Sequence, residues 1–329
     1  MENKRFEIGS LFSGGRVPLA LAPMAGVTDR VMRAICIEHG ADLVTTEMVS
    51  AKAVHYKDKK TAELALLSDS ERPAAIQIFG SDPAIMAESA AELFDRFRPE
   101  IIDINMGCPV AKVVKSGDGS ALMRDPALAG RIVRAVTDAA PCPVSVKFRA
   151  GWDRDSVNAP EFARVLEANG ASLLCIHGRT KTQMYAPPVD LDVIRETVNA
   201  VSVPVLGNGG VNTPDDAVKM LGYTGCAGLA IARGACGSPW IFAAVRARLD
   251  GREYIPPSPS ERIAAALRHF DALVAWLGQK AGVREARKHL GWYLFGLRGA
   301  ASARLRINAT EDPDEVRSIL GQIEEASRQ

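Results

Sequence analysis

Ile101-Ile102-Asp103-Ile104-Asn105-Met106-Gly107-Cys108-Pro109 is the segment around which the rest of the chain is organised. The apolar run with β-branched residues predicts a buried strand. Gly-Cys-Pro ends it abruptly, so Asn105 and Cys108 are expected near the carboxyl end of a strand, on the loop that leaves it. Most cysteines are small buried hydrophobes. This one sits on a loop, beside an asparagine and before a proline, in a chain segment of the kind that carries function. A thiol there can give or take a proton, or attack carbon, as its surroundings tune it. The following residues, 110–123, contain two glycines and two lysines and read as a long loop.

Outward from this strand, the same strand-then-helix unit recurs. Before it, strands are expected at 19–26 (broken by Pro23), 41–49 and 74–80. Helices are expected at 30–39, capped by Thr28 or Asp29 and closed by Gly40, at 56–66, and from Pro83 to Phe97. After it, helices are expected at 126–139, 159–169, 191–200, 214–221 and 239–249. Strands are expected at 144–149, 172–178, 204–210 and 228–234. Eight β-α units in about 250 residues predict an α/β fold of the (β/α)8 TIM-barrel type. A doubly wound sheet is the alternative, although it seldom has eight regular units. Pro256-Pro257-Ser258-Pro259 reads as a stiff linker. Beyond it the apolar period becomes helical, with helices expected at 261–279, 283–297 and about 312–326. The chain therefore divides, by expectation, into a barrel at 1–255 and a small all-helical unit at 256–329.

Composition narrows the class. In 329 residues, 47% are hydrophobic and 24% charged, as in a water-soluble globular protein. The net charge is +1, but it is unevenly spread. Residues 261–308 hold nine basic and three acidic residues, a net of +6, and residues 309–329 a net of −4. Such a basic segment suits a polyanion, or a solvated helix face. The six cysteines form no Cys-x-x-Cys pair, which argues against a zinc site or a disulfide framework. No run reaches the roughly 18 apolar residues of a membrane span, and the first eight residues lack the apolar core of a signal peptide. A cytoplasmic protein with no membrane and no metal is expected, with a monomer as the default.

In a barrel the site forms at the carboxyl ends of the strands. Those ends supply Pro23-Met24-Ala25, Gln77, Asn105 with Cys108, Lys147 with Arg149, His177 with Arg179, Asn208-Gly209-Gly210, and Ala232-Arg233. Most are polar on otherwise apolar strands, and a buried polar group left unpaired costs about 1–3 kcal/mol. A polar ligand at that rim is therefore expected. The last two loops expose backbone N–H groups and one guanidinium, as phosphate sites do. Gln77 could hydrogen-bond the edge of a planar heterocycle, and Lys147 could stabilise negative charge. Singly, a Gln, Lys or His at a strand end is more often structural; together at one rim they point to a ligand.

Several motifs resemble those of the flavin-dependent tRNA-dihydrouridine synthases. They are Ala22-Pro23-Met24-Ala25-Gly26-Val27-Thr28-Asp29, Gln77-Ile78-Phe79-Gly80, Asp103-Ile104-Asn105-Met106-Gly107-Cys108-Pro109, His177-Gly178-Arg179-Thr180 and Asn208-Gly209. Ala286-Arg287-Lys288-His289-Leu290-Gly291-Trp292-Tyr293 resembles the B-type bacterial branch. The resemblance runs from about residue 8 to the end, with five motifs in order at barrel spacing. It implies a barrel that binds FMN, NADPH or NADH as reductant, and a helical domain that grips tRNA. It implies hydride transfer to C6 of a uracil and protonation of C5 by Cys108. Pro23, Met24, Ala25, Gln77, Lys147, His177, Asn208, Gly209, Gly210, Ala232 and Arg233 would be the cofactor contacts. Asn105, Arg149 and Arg179 would meet the uracil, which must leave its stack to reach the barrel mouth. Arg284, Arg287 and Lys288 would meet the RNA backbone, making binding salt-sensitive. Two positions depart from the pattern. The usual Asn-Gly-Asp is Asn208-Gly209-Gly210, which loses a carboxylate, and the usual Gly-Arg is Ala232-Arg233, which adds a methyl.

Three other readings fit part of the sequence. A second FMN barrel acting on a small pyrimidine shares the phosphate loops but leaves the basic tail unexplained. A catalytically idle RNA-binding module leaves Asn105, Cys108 and Lys147 unexplained. A phosphate-binding lyase lacks a distinctive Schiff-base lysine. Within the resemblance, rRNA is an alternative to tRNA as substrate. Preference for NADPH or NADH stays open, because no Gly-x-Gly-x-x-Gly follows a strand.

Overall fold

A computed structural model describes residues 6–327. Residues 1–5, part of the stretch read above for a leader, and 328–329 lie outside it. The strands are β1 (Leu19–Leu21), β2 (Leu43–Thr45), β3 (Val49–Ser50), β4 (Ala74–Phe79), β5 (Ile101–Met106), β6 (Val144–Arg149), β7 (Leu173–His177), β8 (Val205–Asn208) and β9 (Gly228–Ile231). All pair in parallel. β1 pairs with both β2 and β9, which closes the ring, and β3 continues the β2 position alongside β4. The result is the expected eight-stranded barrel. Its outer helices are α1 (Arg30–Glu38), α2 (Ala51–His55), α3 (Lys59–Leu64), α4 (Pro83–Phe97), α5 (Ala111–Lys115), α6 (Pro126–Ala139), α7 (Ala159–Ala168), α8 (Leu191–Ala200), α9 (Pro214–Thr224) and α10 (Ile241–Leu249).

The two-residue period of a strand sorts its side chains. On β5, Ile102, Ile104 and Met106 join the apolar layer between strands and helices, with Val144, Val146 and Phe148 of β6 beside them. Ile101, Asp103 and Asn105 face the other way, into the barrel. The interior is apolar at its amino end, where Ala20, Leu43, Ala75, Ile101, Leu173 and Leu206 pack with Ile8 of the N-terminal segment. It becomes polar toward the carboxyl end, through Asp103 and Ser145 to Asn105, Lys147, His177 and Asn208.

A second apolar cluster joins four C-terminal helices: α11 (Pro259–Leu277), α12 (Gln279–Tyr293), α13 (Ala300–Ala309) and α14 (Pro313–Ser327). Ser258 and Glu261 form a reciprocal cap at the start of α11. Barrel and helices meet at Asp29. Its Oδ1 caps α1 by accepting from the N–H groups of Val31 and Met32, while its Oδ2 accepts from His289 Nε2 at 3.0 Å. The imidazoles of His269 and His289 lie beside it, their ring centres 4.3 Å apart and their planes tilted by 39°.

Four local expectations change. The strand expected at 41–49 is split into β2 and β3. The helix expected at 56–66 begins at 51, capped by Ser50, and breaks at Lys57, whose φ is +59°. The loop after Cys108 carries α5 and a 3-10 helix, Gly119–Arg124. The helix expected at 283–297 lies at 279–293, and α13 went unread because its apolar positions, Ala300, Ala303 and Ile307, are small and sparse. No helix among the described residues is long and apolar enough to cross a membrane.

Candidate active site

The polar end of the barrel opens into a cavity of about 450 Å³. Fifteen residues expected at the site line it: Pro23, Met24, Ala25, Gln77, Asn105, Cys108, Lys147, Arg149, His177, Arg179, Asn208, Gly209, Gly210, Ala232 and Arg233. Lys147, Arg149, Arg179 and Arg233 give its wall four cationic side chains, and among the described residues no carboxylate lines it.

A hydrogen-bonded relay rises through the barrel wall. Ser145 Oγ donates to Asp103 Oδ1 at 2.5 Å, and Gln77 Nε2 donates to Asp103 Oδ2 at 2.6 Å. Asn105 Nδ2 donates to Gln77 Oε1 at 2.8 Å. Asn105 Oδ1 then accepts from the N–H groups of Gly107 at 3.2 Å and Cys108 at 2.9 Å. Burial pushes the Asp103 carboxyl above its usual range, against the two donors that favour its charge. The relay fixes the loop that presents the thiol. Gln77 and Asn105 thus spend most of their hydrogen-bonding capacity inside the chain. The second Nδ2 hydrogen of Asn105 is turned toward Met48 Sδ, 3.8 Å from Nδ2.

Cys108 is half-buried. Burial pushes its thiol pKa up, outweighing the Val110 N–H and the nearby Arg149 charge. It is therefore a protonated thiol at neutral pH, suited to giving a proton rather than to attacking as a thiolate. Arg149 braces the same loop. Its Nε donates to Gly107 O at 2.6 Å, and its Nη1 donates to the carbonyls of Thr180 and Met184 at 3.0 and 2.9 Å.

Across the cavity, Lys147 Nζ donates to Asn208 Oδ1 at 2.9 Å, and Asn208 Nδ2 donates to Ala230 O at 2.6 Å. Burial lowers the Lys147 pKa. His177 is pushed far below the ordinary imidazole range, first by burial and then by the four surrounding cations. It is neutral, and its Nε2 accepts from Arg179 Nη1 at 3.2 Å. The proton consequently lies on Nδ1. Gly209 is required beside it: its φ is +108°, and a Cβ there would lie 2.7 Å from His177 Cδ2. Gly210, where the resembled pattern has aspartate, also has positive φ, +75°. The absent carboxylate leaves the wall wholly cationic.

Arg284, Arg287 and Lys288 do not line the cavity. Arg284 Nε donates to Glu311 Oε1 at 2.9 Å, Arg287 Nη2 to Thr310 O at 2.9 Å, and Lys288 pairs with Glu285. The cavity wall also includes Met48, Tyr185, Cys236 and Trp292, none of them among the expected site residues. Met48 lies where the second strand breaks. Tyr185 sits between Arg149 and Arg233, 5.8 and 4.9 Å from their guanidinium carbons. Trp292 reaches the cavity from α12, and only the aromatic cluster of its motif hinted at this. Asp29, His269 and His289 bring potential ligand atoms within 4.8 Å of one another. The positive charges of Lys288 and Arg268 bear on His269, an environment that favours the Asp29–His289 hydrogen bond over a bound cation.

Comparison with known proteins agrees with this geometry. The profile of the family described as Dihydrouridine synthase (Dus) matches residues 20–328. A tRNA-dihydrouridine synthase B of Pseudomonas aeruginosa is 42% identical over 298 residues, covering 90% of this chain and 89% of the relative. One of Vibrio parahaemolyticus is 39% identical over 305 residues, covering 92% and 94%. A probable tRNA-dihydrouridine synthase of Rickettsia conorii is 37% identical over 306 residues, covering 92% of each chain. The match spans barrel and C-terminal helices alike, and the chain belongs to the dihydrouridine synthase family.

Proposed function

We propose that this chain reduces uridine in tRNA to 5,6-dihydrouridine, using NAD(P)H through an FMN bound in the barrel mouth. The observation that carries the reading is the Cys108 loop, fixed by Asn105 and Arg149 so that the thiol lies at the edge of a cavity lined by Lys147, Arg149, Arg179 and Arg233. Those residues fit the cofactor. Gly209, Gly210, Ala232 and Arg233 offer backbone N–H groups and a guanidinium for a phosphate dianion. Lys147 offers a cation for a ring that becomes anionic on reduction. Pro23 to Ala25 follow β1, next to the loop that leaves β9, and Gln77 and His177 complete the cofactor set. When bound, FMN supplies the hydride, taken from NAD(P)H and delivered to C6 of the uracil.

The chain's residues do the rest. Hydride arrival at C6 breaks the C5–C6 π bond and leaves an electron pair at C5, conjugated to the C4 carbonyl. Cys108 gives its Sγ proton to C5, forming the second C–H bond, and solvent restores the thiol. Arg149 holds the Cys108 loop and, with Arg179, adds positive charge where the enolate develops. His177, neutral and bearing its proton on Nδ1, can donate there but cannot replace the thiol at Nε2, which already accepts from Arg179. Arg284, Arg287 and Lys288 would face the RNA from the C-terminal helices.

The test is incubation of purified protein with unmodified tRNA transcript and NADPH or NADH, followed by mapping of dihydrouridine. Dihydrouridine at defined tRNA positions is expected. Product in rRNA alone would keep the chemistry and change the partner. A colourless protein, or a yellow one that turns over only a free pyrimidine, would overturn the reading.

A further inference from the structure

Trp292 has two faces of use. One side lines the catalytic cavity, and the other lines an adjoining groove of about 410 Å³. Cys236 also borders both, so Trp292 and Cys236 form the wall that the two spaces share. The groove lies where the barrel's last loop meets the C-terminal helices. Its seam is tight: a Cβ on Gly237 would come 2.4 Å from the Trp292 backbone. Trp240, Pro256, Pro257 and Phe295 give it an aromatic and apolar lining. Phe295 is 74% exposed at its lip, so one face of its ring is open to a partner. Arg262 is the cation of the groove. Its Nη2 donates to the carbonyls of Tyr293 and Phe295, each at 2.7 Å, and its Nε–H has no partner.

We propose that this groove is a stacking subsite for a second, unpaired base of the same RNA strand, next to the uridine that enters the catalytic cavity. The inference rests on the RNA-reducing reading above and extends it. A uridine that leaves its stack strands its neighbours, which lose their stacking partners. Exposed rings beside a basic segment are what unpaired bases use, and such stacking tolerates any base. The groove lies one side chain away from the cavity that would hold the uridine, across Trp292. Arg262, Trp292 and Phe295 of its lining belong to the segment 261–308, whose net charge of +6 complements the phosphates on either side.

The test is Phe295→Ala in the full-length, flavin-loaded enzyme, with Phe295→Trp as the restoring variant and unmodified tRNA transcript as the probe. The KM for tRNA should rise about tenfold, the share of one lost base stack, with the rate of flavin reduction by NAD(P)H unchanged. Phe295→Trp should restore the KM. An unchanged KM for tRNA, with the wild type active, would overturn the inference and leave the function standing. A raised KM for NAD(P)H instead would assign the groove to the reductant. A changed oligomeric state in the variant would assign it to a second copy of the chain. A wild type inactive on RNA would overturn the function and the inference together.

Discussion

Asn105→Ala removes the joint between the barrel and the thiol. Two backbone donors, the N–H groups of Gly107 and Cys108, lose their common acceptor, and Gln77 Oε1 loses its donor. A buried group left without a partner costs about 1–3 kcal/mol. Gly107 and Cys108 are half-buried and water can reach them, so the lower end applies and the total is about 2–4 kcal/mol. In a chain of this size that corresponds to a fall in Tm of roughly 4–8 °C. The loop should shift rather than unfold, because Cys108 O still accepts from Ser120 N–H at 3.1 Å and Gly107 O from Arg149 Nε at 2.6 Å. A misplacement of about 1 Å at the proton donor slows the reaction about a hundredfold. Thermal melts and single-turnover oxidation of the reduced enzyme by tRNA would measure both effects. Alkylation of Cys108 in the RNA-free enzyme separates the two possible roles of Asn105. A loop-positioning role alters the alkylation rate, and a pure uracil contact leaves it unchanged. An unchanged Tm together with a wild-type rate would refute the reasoning.

Gly209→Ala should abolish flavin retention, since its Cβ would strike His177 from a positive-φ backbone; a normal flavin spectrum in the purified variant would contradict this. The junction should weaken in acid. Burial, then the charge of His289, pushes His269 down to about 3, whereas an unfolded histidine titrates near ~6.5. Between those values the unfolded chain binds a proton that the folded chain refuses, so stability is lost as pH falls from ~6.5 toward 3. His39 and His177 are depressed too, so His269→Gln should remove only part of the acid slope in melts run from pH 7 to 4; identical slopes would exclude His269. Glu311→Gln should free Arg284 and Lys280, which it now pairs, and tighten tRNA binding severalfold at low salt, where exposed charges are least screened. Unchanged affinity across a salt titration would remove that face of α12 from the RNA surface.

The barrel was legible because its strands repeat one simple signal, a short β-branched run ending in a polar residue. Asn105, Lys147, His177 and Asn208 stand out as polar ends of apolar strands, and all four line the cavity. What pairs with what was not legible. Nothing in the linear chain says that Gln77 and Asn105 are spent on Asp103 and on the Cys108 loop, or that Arg149 serves three carbonyls. Apart from the local bonds of Asn105 to Gly107 and Cys108, they join residues 26 to 42 positions apart. Trp292 escaped for a related reason: it enters the site from a helix 184 positions after Cys108, and on sequence alone an aromatic at helical spacing is core. Helix α13 escaped because alanine gives little periodic contrast.

The central claim is that Cys108 is the proton donor. The most direct measurement is Cys108→Ala in the flavin-loaded enzyme, with reduction by NADPH and reoxidation by tRNA followed separately. Flavin binding and reduction should match wild type. Reoxidation by tRNA should fall about 10²–10⁴-fold, the usual share of a general acid. Reoxidation and dihydrouridine formation at the wild-type rate would contradict the account, as would loss of flavin from the variant.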